Sequence, residues 1–159
     1  MMRSRLSAFV ATLALAAAGL VAAGGSASAA NLLANPGFEL GSTSGWTCTG
    51  GTVTKSPVHS GTYALASTAG ASDTGQCTQT VTVRPSTTYT VSAWVQGNPV
   101  YLGITGGGST WNNAAGYTQL SLTFTSGASQ TSAELYLHGW YGAGTFYADD
   151  VVLDGPGGS

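Results

Sequence analysis

From residue 31 to residue 153 the chain is a succession of short segments of alternating polarity, cut apart by Gly, Pro, Asn and Ser. No stretch sustains the 3.6-residue periodicity of a helix, whereas period-2 alternation recurs, and that confines the fold to packed strands. The clearest segments are 78–83 (TQTVTV), 89–96 (YTVSAWVQ), 100–105 (VYLGIT), 117–125 (YTQLSLTFT), 133–141 (AELYLHGWY) and 146–153 (FYADDVVL). Arg84-Pro85-Ser86 reads as a turn and Gly106-Gly107-Gly108 as a flexible connection. Short strands joined by turns predict an all-β, two-sheet antiparallel β-sandwich.

The start of the chain is different in kind. Arg3 and Arg5 precede an apolar, Ala- and Leu-rich stretch over 6–23, and the small-residue pattern Ala27-Ser28-Ala29 follows. This layout predicts a secretory signal peptide over residues 1–29. An uncleaved membrane anchor is the alternative, disfavoured by the Ala and Gly content and by the cleavage-type sequence. The expected product is a secreted, extracellular, monomeric protein without membrane contact. Its β-domain would span 30–154 and end in a Gly/Pro tail, 155–159. It would act alone or as a piece of a larger enzyme. Export into an oxidising compartment makes a single disulfide the default for Cys48 and Cys77, the chain's two cysteines. Such a bridge closes a loop of roughly 30 residues and contributes about 3 kcal/mol in the chain-entropy model. A metal site at these thiols would need further thiols or a spaced His pair, and the sequence supplies neither.

Charge narrows the partner. Beyond residue 29 the fixed cations are Lys55 and Arg84, and the acids are Glu39, Asp73, Glu134, Asp149, Asp150 and Asp154. A chain without a basic patch is not built for nucleic acid. A neutral, hydroxyl-rich surface suits an uncharged partner such as a polysaccharide.

Alternation assigns the faces. Tyr89, Val91, Ala93 and Val95 share one face of their segment, as do Leu120, Leu122 and Phe124, and Leu135 and Leu137. The opposite faces carry Trp94 and Gln96; Gln119, Ser121 and Thr123; and Glu134, Tyr136, His138 and Trp140. Trp46 and Trp111 stand in Gly-rich surroundings at candidate rims, and Gly139 and Gly142 flank Trp140-Tyr141. Aromatic rings cover the C–H faces of pyranoses, and amide, imidazole and hydroxyl groups bond the ring-edge hydroxyls. Each ring also has an ordinary structural role open to it, Trp94 above all, since it sits mid-strand between small neighbours.

Several motifs follow one another in a recognisable order: NLLANPGFE (31–39), GW (45–46), HSGTYAL (59–65), QTVTV (79–83), YTVSAWV (89–95) and FYADDVVL (146–153). The series resembles jelly-roll carbohydrate-binding modules of the family 4/9 type, most nearly family 16. YLHGWY (136–141), with Thr47-Cys48 and Gln76-Cys77, resembles modules appended to secreted bacterial chitinases. The resemblance implies a jelly-roll sandwich that binds polysaccharide on a concave sheet face, with two Trp flanking the groove. By motif position these are Trp46 and Trp140. Gln119, Gln96, Tyr136 and His138 are the polar candidates from alternation, and Trp94 and Trp111 further aromatic ones. The glycan expected is chitin or another β-1,4-linked polymer such as cellulose or mannan. The resemblance also implies a structural Ca²⁺ held by Glu39, by Asp149 or Asp150, and by carbonyls around Ser60 and Gly61, in the all-oxygen setting calcium favours.

Catalysis is the weaker reading. A glycosidase needs two carboxyl groups about 5–10 Å apart in a cleft. Glu134 and one C-terminal acid are the spare candidates, and alternation sends Asp149 and Asp150 to opposite faces. His59 and His138 have no nucleophile motif beside them. A protein-binding or adhesive β-sandwich is the other alternative, since an aromatic face can also dock a protein.

Overall fold

The computed structural model describes residues 30–158. The expected signal peptide, residues 1–29, lies outside the described residues. Nine strands follow in order: β1 (Ala30–Asn31), β2 (Thr47–Cys48), β3 (Gly51–Thr54), β4 (Ala64–Ala69), β5 (Cys77–Thr82), β6 (Thr88–Ile104), β7 (Gly108–Thr125), β8 (Ser132–His138) and β9 (Gly144–Gly155). All pairings are antiparallel.

The expected pair of separate sheets is not what forms. Hydrogen bonding runs without a break through β2-β5-β8-β6-β9-β4-β3, with β1 on β9 and β7 on β6. The nine strands make one sheet, a nearly closed barrel, and not a two-sheet jelly-roll sandwich. The cause lies in β6. Its first half, Thr90 to Gln96, pairs with β9, and its second half, Tyr101 to Ile104, pairs with β8. Along its other edge it pairs with β7 from Thr88↔Thr125 to Ile104↔Gly108. One hairpin thus serves two wings of the sheet and fuses them.

Gly97-Asn98-Pro99 reads in sequence as a break between two strands. In the structure the strand bends there without ending, with register shifts between Val95 and Gly97 and between Gly97 and Val100. Gly97 is required: a Cβ there would come within 2.8 Å of Phe146 Cβ and Val100 Cγ2. β7 is likewise longer than the segment 117–125. Its Gly/Asn/Ala-rich first half is held by pairing with β6, not by β propensity.

The alternation places the core as expected. Tyr89, Val91, Ala93, Val95, Val100, Leu102 and Ile104 of β6 face inward with Leu135, Leu137, Phe146, Ala148, Val151 and Leu153. Side chains of this kind stabilise by about 1.5–3 kcal/mol each when fully buried. Tyr89 is buried, and its hydroxyl donates to Pro156 O (2.8 Å) and accepts from Arg84 N (2.8 Å), closing the end of the barrel. Cys48 and Cys77 are disulfide-bonded and face each other across β2 and β5.

Candidate functional site

The outer face of the wing formed by β5, β8, the second half of β6 and the first half of β7 carries a ladder of rings. Tyr101 on β6 is the cross-strand partner of Trp111 on β7 and of His138 on β8. Its ring lies 5.7 Å from Trp111 (27° between planes) and 4.7 Å from His138 (21°). His138 in turn lies 5.3 Å from Tyr136 (16°), two residues back on the same face of β8. Rings on facing strands meet in this way because directly paired residues bring their Cβ atoms within reach. Trp140, just past the end of β8, tilts toward Tyr101 at 5.9 Å, and Tyr141 meets Trp140 edge-on at 5.4 Å.

Two backbone features set this face. Tyr136 is paired with Gly103, and a Cβ at Gly103 would collide with the Tyr136 phenol. The missing side chain is what lets the ring settle against the sheet. Gly139 is buried against Phe146, and its N–H donates to Thr74 O (2.8 Å), so the chain leaves β8 tightly anchored and turns Trp140 outward.

Trp111 (55% exposed), Trp140 (50%) and Tyr141 (51%) stand open to water. Tyr101, Tyr136 and His138 are half-buried. Gln76, Thr105, Gly106, Tyr136 and His138 line a shallow cleft of about 270 Å³ at one end of the ladder. His138 Nδ1 lies 2.6 Å from Gly139 O. A carbonyl only accepts, so Nδ1 carries the proton and, in the neutral ring, Nε2 is left as an acceptor. Glu134 accepts from Thr105 Oγ1 (2.8 Å) farther along β8. The face is uncharged apart from Glu134, apolar in its rings and polar at its margins.

The sequence candidates divide into three groups. Trp111, Tyr136, His138 and Trp140 come together in the ladder. Tyr101, which connects them, is absent from the sequence candidates although its alternation with Val100, Leu102 and Ile104 marks it as outward-facing. Trp94, Gln96 and Gln119 lie on the other wing. Trp94 pairs with Gln119 and stacks on His59 (4.0 Å, 12°), and Gln96 pairs with Tyr147 beside the bend. Trp46 corrects the expectation of an exposed rim residue. It is 8% exposed, stacks on Phe38 (5.3 Å) and donates from Nε1 to Asn35 O (3.1 Å). A buried indole that has found its partner is part of the core.

Glu39, Asp149 and Asp150 gather around loop 59–63. Glu39 accepts from Thr62 N (3.0 Å) and Tyr63 N (3.2 Å). Asp149, fully buried, accepts from His59 N (2.9 Å), Ser60 N (3.1 Å) and Asp150 N (2.8 Å). Burial pushes its carboxyl above the usual carboxylate range, opposed by those N–H donors. Asp150 takes the Ser60 hydroxyl (2.7 Å) and His59 Nδ1 (2.6 Å). Strict alternation would send the two aspartates to opposite faces. A bulge prevents this: between the pairs Ser92↔Val152 and Trp94↔Asp149, β9 carries one residue more than β6, and Asp150 adopts φ 47°. A Cβ on Gly61 would collide with the Glu39 carboxylate. The donors are all oxygen, which suits a hard cation in kind. Among the described residues, however, no three His, Cys, Asp or Glu side chains converge as a ready metal cluster.

The sequence matches the family described as a carbohydrate binding domain, CBM_4_9, over residues 30–145. It is 52% identical over 134 residues to Exochitinase 1 of Streptomyces olivaceoviridis; the match covers 81% of this chain and 22% of that protein. Among solved structures it resembles a family 16 carbohydrate binding module (20% identity, TM-score 0.63, 77% of this chain and 99% of that one). It also resembles TmCBM61 in complex with β-1,4-galactotriose (23% identity, TM-score 0.59, 78% and 97%). At these identities the structural likeness is one of fold. Together with the open ring ladder, the match over most of the described chain settles the assignment: the chain belongs to the CBM_4_9 carbohydrate binding domain family, whose role is to bind carbohydrate.

Proposed function

We propose that the chain holds a β-1,4-linked polysaccharide, chitin foremost, on the outer face of the β5-β8-β6-β7 wing. Tyr101 forms the floor, with Trp111 and Trp140 on either side of it. This replaces Trp46 and Trp140 as the flanking pair. Tyr136 and His138 continue the platform toward Gln76 and Thr105, whose polar groups reach the hydroxyls at the edges of the sugar rings. The observation that carries the reading is the exposure of Trp111 and Trp140 beside a half-buried Tyr101. A monomeric soluble domain leaves such a patch uncovered where something else is meant to cover it. Chitin is favoured by the identity to Exochitinase 1. The test is co-sedimentation with chitin, cellulose and mannan. The protein should pellet with chitin and Tyr101→Ala should stay in the supernatant; wild-type protein left in solution by all three polymers rejects the reading.

The same reading includes a structural Ca²⁺ held by Glu39, Asp150 and Asp149 with the carbonyls of Ser60 and Gly61, supported by the all-oxygen donors gathered at loop 59–63. A metal bound to the native state alone adds stability by mass action, about 2.7 kcal/mol at a hundredfold excess over Kd. Chelation should therefore lower Tm; an unchanged Tm in protein that elemental analysis finds metal-free removes the site. The chain is further proposed to be exported and monomeric. Mass spectrometry of the secreted product should find an N-terminus at residue 30 or 31, and sedimentation a single protomer.

A further inference from the structure

A second cleft, of about 360 Å³, lies where β6 bends between the two wings. Its floor is made of small residues, Gly97, Ala114 and Ala115, and its walls carry Gln96, Asn98, Asn113, Thr145 and Tyr147, with Ala143 at the lip. The register shifts that bend β6 at Gly97 make the space. Thr145 Oγ1 is engaged with Thr68 (2.8 Å), but the three amide side chains bond no protein group among the described residues. No buried polar side-chain atom among the described residues lacks a partner, so these amides, which line the cleft, are open to solvent. An amide presents a donor and an acceptor side by side, which matches the neighbouring hydroxyls of a sugar. No Lys, Arg, Asp or Glu lines the cleft, so an anionic group would be desolvated there without a counter-charge.

The cleft also continues the ring ladder. Asn113 is two residues on from Trp111 along β7, and the two share the outward face, both exposed. Strand geometry puts them about 7 Å apart. Ala143 belongs to the same turn as Trp140, whose carbonyl accepts its N–H (2.9 Å).

We propose that this cleft is an additional subsite that takes one neutral glycosyl unit of a chain already lying on the ladder. The subsite rests on the carbohydrate reading of that ladder and extends it around the bend. It makes affinity depend on chain length and on the absence of charge at the terminal unit. Titration calorimetry with chitobiose, chitohexaose and cellohexaose tests it on wild type, Asn113→Ala and Ala143→Phe; the first removes an amide and the second fills the space. Both positions are exposed, and thermal melts confirm folding. Each variant should weaken binding of the preferred hexaose by about tenfold while chitobiose changes by less than about twofold. Unchanged hexaose affinity in both variants, or an equal loss for biose and hexaose, overturns the subsite alone. Wild type that binds neither hexaose overturns the ladder reading and the subsite with it.

Discussion

One hairpin, β6–β7, presents outward-facing aromatic residues on both wings of the sheet, and their fates differ. On one wing Tyr101 and Trp111 stand beside Trp140 in the open. On the other, Trp94 lies beneath His59, which is held by Asp150 (2.6 Å) and meets Tyr117 edge-on (5.7 Å). Tyr117 donates to Pro57 O (2.9 Å), and burial pushes its phenol well above the usual range. The strands are alike; what differs is the loop 55–63, which lands on the second wing. An outward aromatic position is thus left open to a ligand only where no segment of the chain closes over it.

Four experiments press on that contrast. The largest effect belongs to a ring that is buried outright, where Trp46→Ala should cost about 3–5 kcal/mol of stability, as buried Trp truncations do. Chemical denaturation reads this, and a loss below about 1 kcal/mol would place Trp46 among the ligand-facing rings after all. Next, replacing both Cys48 and Cys77 by Ser should cost about 3 kcal/mol, because the bridge fastens β2 to β5 at the margin of the open wing. Affinity measured well below the new Tm should be little changed, since neither sulfur reaches the ladder. Third, Tyr101→Ala should weaken glycan binding by about 2 kcal/mol, roughly thirtyfold, as loss of a central aromatic anchor does. Its Tm should move far less than that of the Trp46 variant; the reverse pattern would erase the distinction between open and buried rings. Smallest is His59→Ala, which uncovers Trp94 at a cost of about 1 kcal/mol from the lost stacking. If the uncovered wing then gains measurable glycan affinity, the covering loop alone accounts for the difference. No gain would show that ladder geometry matters as well.

Inward and outward positions were legible in the sequence because period-2 alternation is a local property. Alternation with their neighbours alone puts Val91, Val95, Leu135 and Leu137 in the core, and Tyr136, His138 and Trp140 on the outer face. What local pattern could not carry was partnership. The continuity of β6 through Gly97-Asn98-Pro99 depends on β7 bridging the bend, a contact that no local pattern contains, so the sequence implies two strands where one exists. The same blindness placed Trp46 at a rim. Its Gly neighbour suggests exposure, whereas its burial is decided by Phe38 and Asn35 folding back onto it. Alternation sends Asp149 and Asp150 to opposite faces, a rule that a single extra residue on β9 suspends. Tyr101 is the exception, since its outward position is legible in VYLGIT, where it alternates with Val100, Leu102 and Ile104.

The pairing of β6 with β7 on both sides of the bend has a mechanical meaning under the proposal that the ladder holds a solid polymer. Antiparallel hydrogen bonds lie across the strands, so a tug directed along the second half of the hairpin loads the pairs from Val100↔Asn112 to Ile104↔Gly108 together and does not peel them bond by bond. Under that proposal, tension entering at Tyr101 and Trp111 would cross the bend through the Gly97↔Ala114 pair into the stretch from Thr88↔Thr125 to Val95↔Thr118 in the opposite half of the barrel.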